Sequence, residues 1–453
     1  MRQQAYPRLG EKVSRRTLSN GLEVVVVEKP LYAKSYAFFA ARYGGMDLRF
    51  RLGGQWQDTP AGIAHFLEHK MFDTETGSVS EAFAKNGAVD NAFTSAAMTA
   101  YFFQCTDKFY ENLRLLLECV SIPYFTKESV DKEQGIIAQE IQETEDDPDW
   151  QVYEGLMECL YAVSPVRIPV AGSVESIRRI TPQTLYDCHR AFYTPSNMIL
   201  VCVGSMDPDQ VAAEAEAILP KEGGEAIERD YGAGEGRAPA RREKRRVMEV
   251  SSPMFLAGCK CRAQETGEGH LRQSIVGDLA CDVLFGESSP LYTRLYEEGA
   301  VNSSLGGNFD QLPGAAYLYV GGEAKEPERV FEAIIRQARR LGEEGIGEAF
   351  YQQVRRAAYG RMIRSLNSFE NIAVSMAEGN FQQFDYYRFP EIFDTITKGD
   401  VEAFLREEIG FLEIPALVEE ASVRQKADSP VSLEAVLEAD RAAREFVDSK
   451  RRR

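Results

Sequence analysis

Residues 220–246 interrupt the chain almost at its midpoint, and no other stretch constrains the fold as much. The segment carries Gly223, Gly224, Gly232, Gly234, Gly236 and Pro239, has no apolar period, and ends in the charged run Arg241 to Arg246. It therefore reads as a linker whose charges are solvated. At 453 residues the chain is also too long for one ordinary core. The expected organisation is one unit over residues 1–225, a linker over 226–246, and a second unit over 247–453.

The two units share an order of elements. In the first, Asn20-Gly21 feeds a buried strand through Val24–Val27, and a second strand runs from Tyr36 to Tyr43. A helix follows over 58–72, then a short one over 79–85. Two antiparallel strands are expected at 88–94 and 98–105. Helices then run over 108–120, 127–145, 149–162 and 181–193, before a strand at 197–204 and an Asp-capped helix at 208–218. In the second unit the pattern predicts a strand at 247–262, helices at 269–286 and 289–298, and strands at 302–309 and 314–322. Helices at 327–342, 347–366, 368–379 and 399–408 complete it, and residues 433–453 read as a charged helix with a basic tail. Like size and like order suggest a duplicated α+β domain, each copy an antiparallel-rich sheet packed with helices, without a residue-level repeat.

Only the first unit carries an obvious constellation. Thr59-Pro60 is a good helix start, and Ile63, Phe66, Leu67 and Met71 recur at helical spacing, so His65-Phe66-Leu67-Glu68-His69 lies on a helix. Residues four apart stack one turn above each other, and the two imidazoles can share one metal ion. Glu68 is then placed as the proton acceptor of an HxxEH zinc hydrolase. The chain has 4 histidines, and two of them stand here. The third ligand has to come from another element. On the helix over 127–145, with Val130, Ile136, Ile137 and Ile141 as its apolar stripe, Glu133 and Glu140 share a face, and either can supply it.

The formal net charge of −18 excludes a counterion-releasing nucleic-acid surface. The N-terminal residues hold basic groups with no apolar core after them, and no run approaches a membrane span, so the expected location is the cytoplasm. The 8 cysteines fall mostly in apolar stretches without CxxC spacing and read as reduced core residues.

The runs GIAHFLEHKMF, NGAVDNAFTSAAMTAYFF, DKEQGIIAQEI with DDPDW, and PSNMILVCVG resemble the pitrilysin/insulinase family of zinc peptidases across the first unit, closest to its bacterial YmfH-like branch. The resemblance implies Zn²⁺ on His65, His69 and Glu140, with Glu68 as general base and Glu133 as a supporting carboxylate. It also implies that the strand with Asn91, Ala92 and Phe93 pairs with a peptide substrate, held in a chamber between two halves. Self-sufficient members carry an Arg and a Tyr in the second domain that stabilise the tetrahedral intermediate. Here Glu298 and Asn302 stand at those places, while Tyr292, Arg294 and Tyr296 read as helix packing and surface. The missing donors imply a partner, either a second insulinase-family (YmfF-like) chain or a second copy. The rival expectation is a weakly active or inactive peptide-binding maturation factor on the same fold.

Overall fold

A computed structural model describes residues 1–409, apart from 76 and 265. The helix expected over 433–453 lies outside the described residues. The strands are β1 (Arg2–Tyr6), β2 (Glu11–Thr17), β3 (Glu23–Glu28), β4 (Ser35–Ala41), β5 (Arg49–Leu52), β6 (Gln55–Asp58), β7 (Asp73–Thr74), β8 (Gly77–Ser78), β9 (Val89–Thr94), β10 (Thr99–Cys105), β11 (Met198–Gly204), β12 (Met254–Lys260), β13 (Gly306–Leu312) and β14 (Ala315–Glu323). The helices of the first half are α1 (Ile63–Lys70), α2 (Ser80–Lys85), α3 (Phe109–Ser121), α4 (Lys127–Asp146), α5 (Pro148–Leu160), α6 (Val174–Ile177), α7 (Pro182–Phe192) and α8 (Pro208–Ile218). Those of the second are α9 (Glu268–Phe285), α10 (Pro290–Glu297), α11 (Pro327–Glu344), α12 (Glu348–Ser365), α13 (Phe369–Phe381), α14 (Phe389–Thr395) and α15 (Lys398–Phe404).

The first sheet has the order β1-β2-β3-β11-β4-β10-β9. β11 enters last in sequence and lies at the centre, parallel to β3 and antiparallel to β4, with Val201 opposite both Val25 and Phe38. All seven of its residues are buried, because both faces of the sheet are covered. Alternation divides the apolar run of β3 between them. Val24 and Val26 pack with Phe39, Leu200 and Cys202 against α1, α3, α4, α7 and α8. Val25 and Val27 pack with Phe38, Ile199 and Val201 against residues of the second half, including Leu279, Met376 and Ala377.

The two halves therefore share one continuous core across that sheet, with α13 lying on β11 and β4. The second sheet has only three strands among the described residues, β12-β14-β13, so β13 carries no strand on its outer side.

The segment expected to be a free linker is instead strapped down. Arg51 N–H donates to Glu228 O and Asp230 N–H to Arg49 O, so residues 228–230 pair with β5. The Arg229 guanidinium reaches Asp47 at 3.0 Å and the Tyr231 hydroxyl reaches it at 2.9 Å. Glu235 accepts from Lys260 Nζ at 2.6 Å and from the backbone N–H groups of Ala162, Val163 and Ser164. Single polar anchors of this kind leave no apolar period, which is why composition alone reads as a spacer. The basic run is exposed, as expected, with Lys244 paired to Glu158 and Arg245 to Glu328 at the surface.

The cysteines are all free, and Cys105, Cys119, Cys188, Cys202, Cys259 and Cys281 are buried. No helix among the described residues is long and apolar enough to cross a membrane.

Candidate metal centre

Helix α1 begins three residues later than Thr59-Pro60 suggests. Its N-cap is Gly62 at φ +90°, where a Cβ would stand 2.4 Å from Ala171 O. Only glycine fits this left-handed, close-packed position. The Thr59 hydroxyl donates to Leu48 O instead of capping the helix. Ile63, Ala64, Phe66, Leu67 and Lys70 are buried around α1, which fixes its rotation and turns His65 and His69 toward α4.

Helix α4 starts on a capping box made by Thr126 and Ser129. Val130, Ile137 and Ile141 form its buried stripe, whereas Ile136, expected in that stripe, is 47% exposed. Packing on this stripe presents Glu133 and Glu140, two turns apart, to the histidines.

The two imidazole centroids are 4.6 Å apart. His65 Nε2 lies 3.4 Å from Glu140 Oε1, and His69 Nε2 lies 3.6 Å from Glu140 Oε2. These separations are long for hydrogen bonds. They are instead the separations of groups gathered around a common point, as ligands roughly 2.0–2.1 Å from one zinc ion would be. Nδ1 of His69 donates to Glu133 Oε1 at 3.0 Å, so the lone pair of this ring is on Nε2, facing Glu140. One nitrogen or oxygen from each of His65, His69 and Glu140 falls within 4.8 Å of the others, a donor set that fits zinc. His65 Nδ1 is buried without a partner, and packing rather than a hydrogen bond orients that ring.

Glu68 is buried, and its Oε2 accepts from the Thr94 hydroxyl at 2.5 Å. Burial raises its pKa above the ordinary carboxylate value, against the opposing pull of Thr94 and the two histidines. At His69, burial disfavours the charged form, but the Glu133 bond and the surrounding carboxylates outweigh it and the pKa is raised. The neighbouring imidazoles, His65 foremost, hold Glu140 below its usual range against its burial. Thr94 was not among the residues expected at the site. Its signal is alternation along β9, which puts it on the same side as Ala92.

Strand β9 is the outer strand of its sheet and packs beside α1. Ser95 N–H donates to Met98 O, so the alternation of an antiparallel ladder leaves the backbone groups of Asp90, Ala92 and Thr94 on the open side. Of Asn91, Ala92 and Phe93, only Ala92 thus offers its main chain to an incoming strand. Its N–H is covered by Asn91 Oδ1 at 2.9 Å. The Phe93 ring turns to the other face and packs with Phe38 and Phe102. In the second half, Glu298 pairs with Arg329 and Asn302 with Glu323, Tyr292 is buried, and Tyr296 is 54% exposed.

Comparison with known proteins points the same way. A family model described as Insulinase (Peptidase family M16) matches residues 53–174, and one described as Peptidase M16 inactive domain matches residues 179–358. A model of the DXP reductoisomerase C-terminal domain matches residues 364–446, more than half of them among the described residues and none of them a residue of the metal centre. The uncharacterized zinc protease YmfH of Bacillus subtilis is 38% identical over 89% of this chain and 95% of its own length. The crystal structure of a putative M16-like peptidase from Alicyclobacillus acidocaldarius superposes with a TM-score of 0.85 at 34% identity, covering 88% of this chain and 96% of that one. A protease from Helicobacter pylori shares the fold, with a TM-score of 0.74 at 20% identity over 88% of this chain and 97% of the other.

Proposed function

The chain belongs to the insulinase (M16) family, and from that premise we propose that it is a zinc-dependent endopeptidase or processing peptidase acting on short or unfolded peptides. The observation that carries this reading is the convergence of His65, His69 and Glu140, with Glu133 orienting one imidazole and Glu68 buried beside them. We assign residues 1–225 as the metal-bearing domain, 226–246 as its strap, and 247–453 as the metal-free domain.

His65, His69 and Glu140 would hold the ion, which when bound supplies a Lewis acid and lowers the pKa of a water toward about 7. Thr94 engages Oε2 of Glu68, which leaves Oε1 to take the proton of the attacking water and return it to the leaving amine. The raised pKa of Glu68 suits it to that exchange. An extended peptide adds along β9, exchanging bonds with the main chain of Ala92 once Asn91 Oδ1 gives way.

Because the two halves share a core, the wall that closes over the site is assigned to a partner chain, either a second family member or another copy. The same partner would bring the oxyanion donors that Glu298 and Asn302 do not supply. A cytoplasmic location fits a chain with eight free cysteines. Glu298 and Asn302, together with the match to an inactive-domain model, favour the second reading, a peptide-gripping factor with little or no hydrolysis.

Zinc content and cleavage of a fluorogenic peptide library, for this chain alone and with its partner, test the proposal. One zinc per chain is expected, with Glu68→Gln retaining zinc and losing turnover by roughly 10²–10⁴-fold. Peptides cleaved at the unmutated rate by Glu68→Gln would refute the role of Glu68. Stoichiometric zinc with no cleavage in either preparation would favour the gripping factor.

A further inference from the structure

Behind the candidate metal centre lies a layer of buried hydroxyl groups that the proposed reaction does not use. On β10, Thr99 and Tyr101 stand opposite Thr94 and Ala92 of β9, so all four side chains leave the face of the sheet that packs against α1. Thr99 and Tyr101 are both buried. The Tyr101 hydroxyl meets that of Tyr193, just past α7, at 2.8 Å, and the Tyr193 hydroxyl is also hydrogen-bonded to the Thr99 side chain.

An antiparallel ladder alternates between residue pairs that exchange main-chain bonds and pairs that do not. Ser95 N–H donates to Met98 O, so Thr94 and Thr99 are a pair of the second kind, at which side chains approach most closely. Their hydroxyl oxygens are 3.4 Å apart. Thr99 has one proton to give, and Tyr43 O takes it at 2.8 Å, which leaves its oxygen to accept from Tyr193. Thr94 also has one, and Glu68 Oε2 takes it at 2.5 Å.

This layer decides which way Thr94 points. A threonine carries its hydroxyl and its methyl group on one carbon, and a turn about χ1 exchanges them. With the Thr99 hydroxyl against it, the inward position on Thr94 favours oxygen, and that oxygen faces Glu68. A methyl group there would meet two polar groups and take from the Glu68 carboxylate the hydrogen bond it has. Thr99 is itself held firmly, since the carbonyl it bonds belongs to Tyr43, whose buried ring stacks on Phe192 at 4.1 Å. We propose that Thr99 is a positioning residue for the general base: it keeps the Thr94 hydroxyl on Oε2 of Glu68 and so leaves Oε1 turned to the attacking water. This assignment rests on the peptidase reading above and deepens it by adding a residue from behind the strand that the peptide joins.

The test uses the zinc-loaded full chain and a fluorescein-labelled peptide phosphonamidate, a tetrahedral analogue of the attacked bond in which one phosphoryl oxygen stands where the water would be. Its affinity is read by fluorescence anisotropy. Thr99→Val keeps the shape and removes the hydroxyl, and should weaken the analogue by about tenfold with one zinc per chain retained. Thr99→Ser should recover most of that affinity. Thr94→Val should have the larger effect, and adding Thr99→Val to it should change nothing more, because a residue that acts through Thr94 then has nothing to act on. A merely structural Thr99 would lower the thermal midpoint and leave the analogue's affinity alone. That outcome overturns the proposal while the peptidase reading stands, as does an effect of Thr99→Val that persists in full beside Thr94→Val. If the unmutated chain does not bind the analogue, the peptidase reading falls and takes the role of Thr99 with it.

Discussion

The two halves of this chain treat their inward-facing carboxylates differently. In the first, Glu68 has the Thr94 hydroxyl, Glu133 has His69, Glu140 faces both histidines, and Asp47 has Arg229 and Tyr231. In the second, Asp310 has the Tyr317 hydroxyl and Asp282 has Arg361, while Asp278 and Glu378 are exposed and make no ion pair among the described residues. A charge removed from water is costly unless it is compensated. The first half thus gathers its carboxylates around the candidate metal centre, and the second leaves the unpaired ones to water.

The sharpest way to break this contrast is to remove one imidazole. His69→Ala leaves two donors where three are needed, and is expected to eliminate bound zinc and reduce hydrolysis to background. Asp310→Asn, treated identically, should retain one zinc per chain. Elemental analysis of the two variants decides the matter, and zinc retained in His69→Ala would show that the metal binds elsewhere.

The next effect concerns the strap between the halves. Burial raises the pKa of Glu235, but Lys260 and the N–H groups of Ser164, Val163 and Ala162 outweigh it and bring the value to about 2. A depressed carboxylate pKa means stability that is present above the unfolded value, near 4.5, and is lost as pH falls toward about 2. The side chain is 15% exposed, so the full linkage value of about 3 kcal/mol is an upper bound. Glu235→Gln should therefore lower the urea midpoint at pH 7, and the gap to the unmutated protein should narrow as the pH is taken below about 4.5. A gap that does not change with pH would mean that the strap is held by shape rather than by this charge.

Smaller still is the contribution of Glu133. Glu133→Gln keeps a hydrogen-bond acceptor for His69 but removes the charge, and should weaken zinc binding by about 10–100-fold while leaving the fold intact. Competition with a chelator of known affinity measures this. Unchanged affinity would reduce Glu133 to a spectator.

Much of the metal centre was legible in the sequence because it is written in local spacing. His65 and His69 are one turn apart and Glu133 and Glu140 two turns apart, but spacing left the third ligand open between the two glutamates, and only the family resemblance pointed to Glu140. Thr94 was harder to see, because it acts through the register of β9 against β10 and not through a motif. The buried strands with continuous apolar runs, β3 and β11, were also readable. Strands β1 and β2 were not, since Arg2–Tyr6 and Glu11–Thr17 are largely polar and owe their conformation to pairing, β2 with β3 and β1 with β2.

The smallest expected effect tests the second half directly. Burial, followed by the neighbouring Asp310, raises the pKa of Glu378 to about 7. A raised carboxylate pKa means stability that is present at low pH and is lost as pH rises through about 7, because the folded chain must then hold an uncompensated charge. Water reaches this side chain, so the effect should be a few °C at most. Glu378→Gln should match the unmutated thermal midpoint at pH 5 and exceed it at pH 8. Equal midpoints at pH 8 would mean that water serves this carboxylate as well in the folded chain as in the unfolded one.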